Sequence, residues 1–220
     1  MKEQRFEVIA VDGPAASGKS SVSRELARRL GYVYVNTGAM YRAVTWLALQ
    51  ARVNPSEEAA VERLLERTRL EVGVEFGESC LRVDGVAPGE ALVDPEVNGN
   101  VSRFAALSPV RERLLGLQRE FGTLCNSVIE GRDIGSVVFP ATPHKFYVDA
   151  ALEVRVARRL GQGLQDSVAF RDAMDSARKS APLTVPVGAV VIDSSHMTVV
   201  EVVELMLGRL RSFGILPVAD

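Results

Sequence analysis

The stretch Gly13-Pro-Ala-Ala-Ser-Gly18-Lys19-Ser20 constrains this chain more than any other. It is a complete G-x-x-x-x-G-K-[ST] pattern, preceded by the apolar, strand-length run Phe6-Glu7-Val8-Ile9-Ala10-Val11. After it, Val22, Leu26 and Leu30 recur every four residues, which is one face of an amphipathic helix. Strand, glycine turn and helix are what a phosphate loop needs. The glycines let backbone N–H groups curl around an anion, and the helix N-terminus adds partial positive charge. In that arrangement Lys19 reaches the β- and γ-phosphates and the Ser20 hydroxyl is a Mg²⁺ ligand. The alternative, a glycine turn that merely enters a helix, gives no reason for Lys and Ser in this register. The motif therefore implies binding of a nucleoside triphosphate.

A parallel α/β arrangement follows from the rest of the pattern. Strands are expected over 6–11, 32–35, 127–130, 144–148 and 190–192. Helices are expected over 19–30, 39–50, 55–67, 95–106, 109–121, 152–160, 168–179 and 198–211. Strands separated by helices of this length form a parallel sheet wound on both faces. Residues 70–93 break the rhythm, alternating apolar and polar side chains around Gly77 and Asp84-Gly85, and read as a small antiparallel sheet inserted in the core. Residues 161–166 are the candidate mobile loop.

Composition excludes several classes. A net charge of −2 over 220 residues argues against a general nucleic-acid or anionic-membrane binder. Cys80 and Cys125 lack C-x-x-C spacing, so neither a disulfide framework nor a zinc site is expected. No apolar run reaches membrane-spanning length and Met1–Arg5 leads directly into the first strand, so neither a signal peptide nor a membrane span is expected and a cytoplasmic location is. A monomer is the expected state, without a sequence signal that decides it.

Other polar clusters bear on the reaction. Thr37-Gly38-Ala39-Met40-Tyr41-Arg42 follows the second strand, offering a hydroxyl, a ring and a guanidinium to a second phosphate and a planar ligand. Glu130-Gly131-Arg132-Asp133 ends another strand, at the edge where ligands sit in open parallel sheets. Arg171, Asp175 and Arg178 fall on one helix face, and Arg155 and Arg159 are four apart. Each cluster also has an ordinary reading. Arg171 and Asp175 make an i,i+4 ion pair, helix arginines form solvated faces, Tyr41 is a core aromatic, Arg132 is a strand-end salt bridge, and Asp133 is the N-cap of the next element. Several arginines after strand ends nevertheless suit phosphoryl transfer to an acceptor that is itself a phosphate.

The blocks Ile9–Ser20, Asn36–Arg42, Glu130–Pro140 and Arg171–Leu183 together resemble the bacterial cytidylate kinases, in the family's order and over essentially the whole chain. The resemblance implies a P-loop kinase fold: a parallel five-stranded sheet with helices on both faces, a small antiparallel β insertion and a short lid. Residues 1–36 and 107–220 would be the core, with the lid at about 160–178. Residues 37–106 would bind the monophosphate, with the insertion at about 70–93.

The same resemblance implies ATP-dependent phosphorylation of CMP, and of dCMP, by direct in-line transfer with Mg²⁺. Gly13, Pro14, Ala15, Ala16, Ser17, Gly18, Lys19, Ser20 and Ser21 would form the ATP phosphate loop, with Arg155 over adenine and Arg159 on the ATP phosphates. Thr37, Tyr41 and Arg42 would line the acceptor pocket, Arg42 on the CMP phosphate. Ser102, Arg111 and Asp133 would read cytosine, and Arg132 would hold the acceptor phosphate. Arg171 and Asp175 would take the ribose, and Arg178 the phosphates in flight. Catalysis would rest on Lys19, Arg132 and Arg178. The alternatives are a P-loop kinase for UMP or a small alcohol, and a nucleotide-dependent switch or ATPase. The segment between Arg159 and Arg171 is shorter than in many members, Asn36 stands where many have Asp, and Val93 where Arg is common.

Overall fold

The computed structural model describes residues 6–161, 168–178 and 181–218. The chain runs β1 (Val8–Asp12), α1 (Lys19–Leu30), β2 (Val33–Asn36), α2 (Thr37–Gln50), α3 (Glu58–Arg67), β3 (Leu70–Glu75) and β4 (Glu78–Val83). It continues through α4 (Pro95–Phe104), α5 (Ser108–Leu124), β5 (Ser127–Gly131), β6 (Lys145–Asp149), α6 (Leu152–Gly161), α7 (Val168–Ser176), β7 (Val190–Asp193) and α8 (Val199–Arg211). Most of the expected loop at 161–166 lies outside the described residues; the helix expected over 168–179 ends at Ser176, so Arg178 follows α7 and is not on its face.

The strands form one seven-stranded sheet in the order β3-β4-β2-β5-β1-β6-β7. Its five central and right-hand strands are parallel, and Val8, Ile9, Ala10, Val11 and Asp12 of β1 are all buried. Alternation divides them. Val8 and Ala10 join the core under α2, α3 and α5, while Ile9 and Val11 join the core under α1 and α8. A strand covered on both faces must be apolar throughout, which is why this one reads as an unbroken run.

Two expectations are corrected. The sheet has seven strands instead of five, because the β3–β4 hairpin joins it and forms no sheet of its own. The outer edge of β2 carries unpaired amides, and the hairpin satisfies them. The Tyr34 amide donates to the Gly77 carbonyl at 2.9 Å and the Asn36 amide to Ser79 Oγ at 3.1 Å. The hairpin turns through Phe76 and Gly77, both at positive φ, the geometry that follows strand twist. The antiparallel segment also ends at Val83, and the expected continuation to Val93 is a turn followed by a 3-10 helix over Gly89–Val93. Asp84 and Gly85, again at positive φ, turn the chain away, and Pro88 has no amide to give a ladder.

Candidate active site

The C-terminal ends of the parallel strands open into a cavity of about 490 Å³. One wall is the loop between β1 and α1. Gly13 is required there by close approach, since a Cβ would lie 2.1 Å from the Val148 carbonyl oxygen. Gly18 (φ 88) is the residue before α1, and Ala16 takes the left-handed region at φ 58 without being glycine.

Three of the loop's carbonyls are held by side chains. Lys19 Nζ donates to Pro14 O at 3.0 Å and Arg155 Nη1 to Ala15 O at 3.3 Å. Ser17 O accepts from Ser194 Oγ at 2.8 Å and from Arg158 Nη1 at 3.2 Å. In a trans peptide the carbonyl and the next N–H point opposite ways. Holding Ala15 O and Ser17 O therefore aims the Ala16 and Gly18 amides, and Ala16 and Gly18 both line the cavity.

Lys19 is buried, and burial, reinforced by the charge of Arg132, lowers its ammonium to about 7. Six arginines line the same space: Arg42, Arg132, Arg158, Arg159, Arg171 and Arg178. Burial lowers Arg42, whose Nε is buried without a hydrogen-bond partner, and Arg178 Nε is in the same condition. Buried donors left open on cationic side chains are suited to anionic oxygens.

The end of the cavity away from the loop is organised by three carboxylates. Asp175 accepts from Arg132 Nε at 2.7 Å and from Arg178. Burial alone would raise its carboxyl, but these two guanidiniums hold it below the usual carboxylate range. Asp133 accepts from Arg111 Nη2 at 2.5 Å, burial raising its carboxyl against the pull of Arg111 and Arg178. Arg111 lies 5.8 Å from the Tyr41 ring centroid. Glu130 accepts from the Tyr34 hydroxyl at 2.7 Å, and Thr37 Oγ1 donates to the Glu130 carbonyl at 2.7 Å, so Thr37 fixes the strand end.

Most expected residues converge on this cavity. Ala15, Ala16, Gly18, Lys19, Ser20, Ser21, Thr37, Tyr41, Arg42, Ser102, Arg132, Asp133, Arg159, Arg171, Asp175 and Arg178 line it. Gly13, Pro14, Ser17 and Arg111 stand behind the lining, and Arg155 is buried beneath the loop. The solvated-face alternative for Arg178 is overturned, since its side chain is only 7% exposed. Asp133 makes no helix-capping bond, which removes that alternative too.

Sequence reasoning missed Arg158, Ser194 and Asp172, and the apolar floor of Met197, Val199 and Val202. Ser194 directly follows a short apolar strand, the same signal that marked Glu130. Asn36 accepts from the Ala39 amide at 3.0 Å as the cap of α2, a task Asp performs equally well.

The sequence matches the cytidylate kinase family model over residues 9–212. The chain belongs to the cytidylate kinase family. It is 38% identical to the cytidylate kinase of Clostridium botulinum (strain Loch Maree / Type A3) over 207 residues, covering 89% of this chain and 94% of that one. It is 37% identical to the cytidylate kinase of Solibacter usitatus, covering 96% and 94%. A bifunctional pantoate ligase/cytidylate kinase of Synechocystis is 40% identical over 96% of this chain, which spans 44% of that longer protein. The fold is shared with a sugar kinase from Janibacter sp. HTCC2649, at a TM-score of 0.50 and 13% identity, covering 94% of this chain and 95% of that one. As a cytidylate kinase family member, the chain is a nucleoside monophosphate kinase that phosphorylates CMP with ATP. No described helix is long and apolar enough to cross a membrane.

Proposed function

We propose that the chain moves the γ-phosphoryl group of Mg·ATP in line onto CMP and dCMP, with no covalent intermediate. The observation that carries this reading is the Arg111–Asp133 pair, 2.5 Å apart and buried near Tyr41. It sets a fixed donor beside a fixed acceptor. Cytosine presents the complement: an exocyclic amine for Asp133 and the N3 and O2 acceptors for Arg111, with Ser102 beside them. Arg42 and Arg132 take the acceptor phosphate, and Arg171 and Asp175 the ribose. Lys19, Arg132 and Arg178 stabilise charge on the transferring group, and Arg159 holds ATP phosphates. Residues 1–36 and 107–220 act as the core and 37–106 as the acceptor-binding part, in a monomeric, cytoplasmic enzyme.

Magnesium fits the donors present. Among the described residues no three His, Cys, Asp or Glu side chains form a metal site, and the oxygen donors lie in the nucleotide cavity. The Ser20 hydroxyl and Glu130 carboxylate both line the cavity and are the hard oxygen donors this ion prefers. When bound, Mg²⁺ neutralises charge on the β- and γ-phosphate oxygens.

An ADP-release assay across CMP, dCMP, UMP, AMP and no acceptor tests the reading. CMP and dCMP should be turned over, and CMP should exceed UMP in kcat/KM by at least about tenfold. Equal rates for CMP and UMP, or full ADP release without acceptor, would overturn it.

A further inference from the structure

Arg155 is the only residue buried among those described in α6, and its guanidinium makes three hydrogen bonds. Nε donates to Ala150 O at 2.9 Å, and Nη1 donates both to Ala15 O at 3.3 Å and to Asp172 Oδ2 at 2.5 Å. Asp172 is on α7, next to Arg171 and one turn before Asp175, and its other oxygen is buried without a partner. The Ala15 carbonyl belongs to the peptide that enters left-handed Ala16, so its orientation and the Ala16 amide are set together. The other struts on the loop come from Lys19 in α1, and from Arg158 and Ser194; of the loop's side-chain struts among the described residues, Arg155 is the one whose guanidinium also bonds a residue of α7. α7 is seated at its far side by Arg171 Nη2, which donates to Asn98 O of α4 at 3.2 Å.

We propose that Arg155 and Asp172 are a positioning pair that links the acceptor-binding helix α7 to the phosphate loop, so that the two nucleotides bind with positive coupling. The proposal rests on the two-site reading above. A nucleotide that engages Arg171, Asp175 and Arg178 fixes α7. Fixed α7 holds the Asp172 carboxylate on Arg155, and Arg155 then holds the Ala15–Ala16 peptide in its anion-binding orientation. Each ligand thus lowers the ordering cost met by the other, and the coupling is reciprocal. Neither residue is a catalytic residue: both act through the loop.

Isothermal titration of the full chain with a non-hydrolysable ATP analogue and Mg²⁺, with and without saturating CMP, measures the coupling. The wild type should bind the analogue at least about fivefold more tightly with CMP present, and CMP should gain the same factor from the analogue. Asp172→Ala should reduce that factor to within about twofold of unity. Affinity for each nucleotide alone should stay within about twofold of wild type. Asp172→Asn keeps the shape but not the charge and should retain part of the coupling; it serves if the alanine variant does not fold. Wild-type coupling in both variants, no coupling in the wild type, or weaker binding of each nucleotide with coupling intact would overturn the proposal. If the wild type does not bind CMP at all, the cytosine reading fails instead. The coupling is then measured with the monophosphate that the acceptor panel selects.

Discussion

Asp12 Oδ2 accepts the amide hydrogen of Gly135 at 2.8 Å, while its other oxygen accepts that of Ile134 at 2.7 Å. The residue leading into the phosphate loop thereby fixes the turn that follows Arg132 and Asp133, and donor and acceptor machinery share one buried carboxylate. Burial raises that carboxyl to about 6 against the pull of the two amides, so it is ionised at neutral pH.

Asp12→Asn turns an amide group toward one of those N–H donors and leaves it unpaired. The expected loss is about 1–3 kcal/mol in a denaturant melt near pH 7.5. Gly135→Ala attacks the same junction from the other side, since its Cβ would lie 3.2 Å from Asp12 Oδ2 and 3.1 Å from Pro186 Cγ. It should destabilise by a similar amount, about 1–3 kcal/mol. Wild-type stability in both variants would show that the turn is held by other contacts.

Lys19→Ala should lower kcat by about 10² or more while leaving a folded protein. The ammonium also predicts a pH signature. Its folded value, about 7, lies below the ordinary 10.5. The unfolded chain therefore binds the extra proton between those values, and this group's contribution makes stability rise with pH from about 7 to 10.5. Triphosphate binding favours the charged form, so titration near pH 8 should show proton uptake that is absent near pH 6 and absent in Lys19→Met. Equal uptake in the variant would assign the proton elsewhere.

Asp133→Ala should lower kcat/KM for CMP far more than for UMP. An ionised carboxylate facing uracil O4 puts two acceptors together, a mismatch of roughly 1–3 kcal/mol or more. Removing it should compress the CMP-to-UMP ratio toward unity. A ratio that stays constant while both substrates slow would make Asp133 a scaffold for Arg111 and not the base reader.

Arg178→Ala should separate rate from stability. Asp175 keeps its 2.7 Å bond to Arg132, so the carboxylate is not left alone and the stability loss should be about 1–2 kcal/mol. Loss of a charge aimed at the transferring group should lower kcat by about 10² or more. Steady-state rates and melting temperature, measured on one preparation, decide it.

The phosphate loop, the parallel strands around it and the strand-end clusters were legible because each depends on short-range pattern: glycine spacing, apolar runs, and polar residues directly after them. The hairpin's attachment to β2 was not, because it rests on main-chain bonds between segments some forty residues apart, such as Tyr34 to Gly77. Arg155 shows the same limit. The family resemblance put it on the ATP side, but only the packing of α6 and α7 shows its charge engaged by Asp172 and Ala15. The sequence around Arg158 looks like a basic helix end, and nothing local to it points to Ser17 or Ser194.

Left-handed Ala16 puts folding and turnover on different footings. Glycine at that position would remove a backbone penalty of roughly 1–2 kcal/mol. It would also free the unfolded chain and so return about 0.4–1 kcal/mol. The first term is the larger, so heat resistance alone leans toward glycine at this position. The loop's shape leans the other way, because glycine lets the peptide held by Arg155 swing through orientations that alanine forbids. In a library screened for thermal survival position 16 should move toward glycine, whereas in one screened for turnover it should stay alanine.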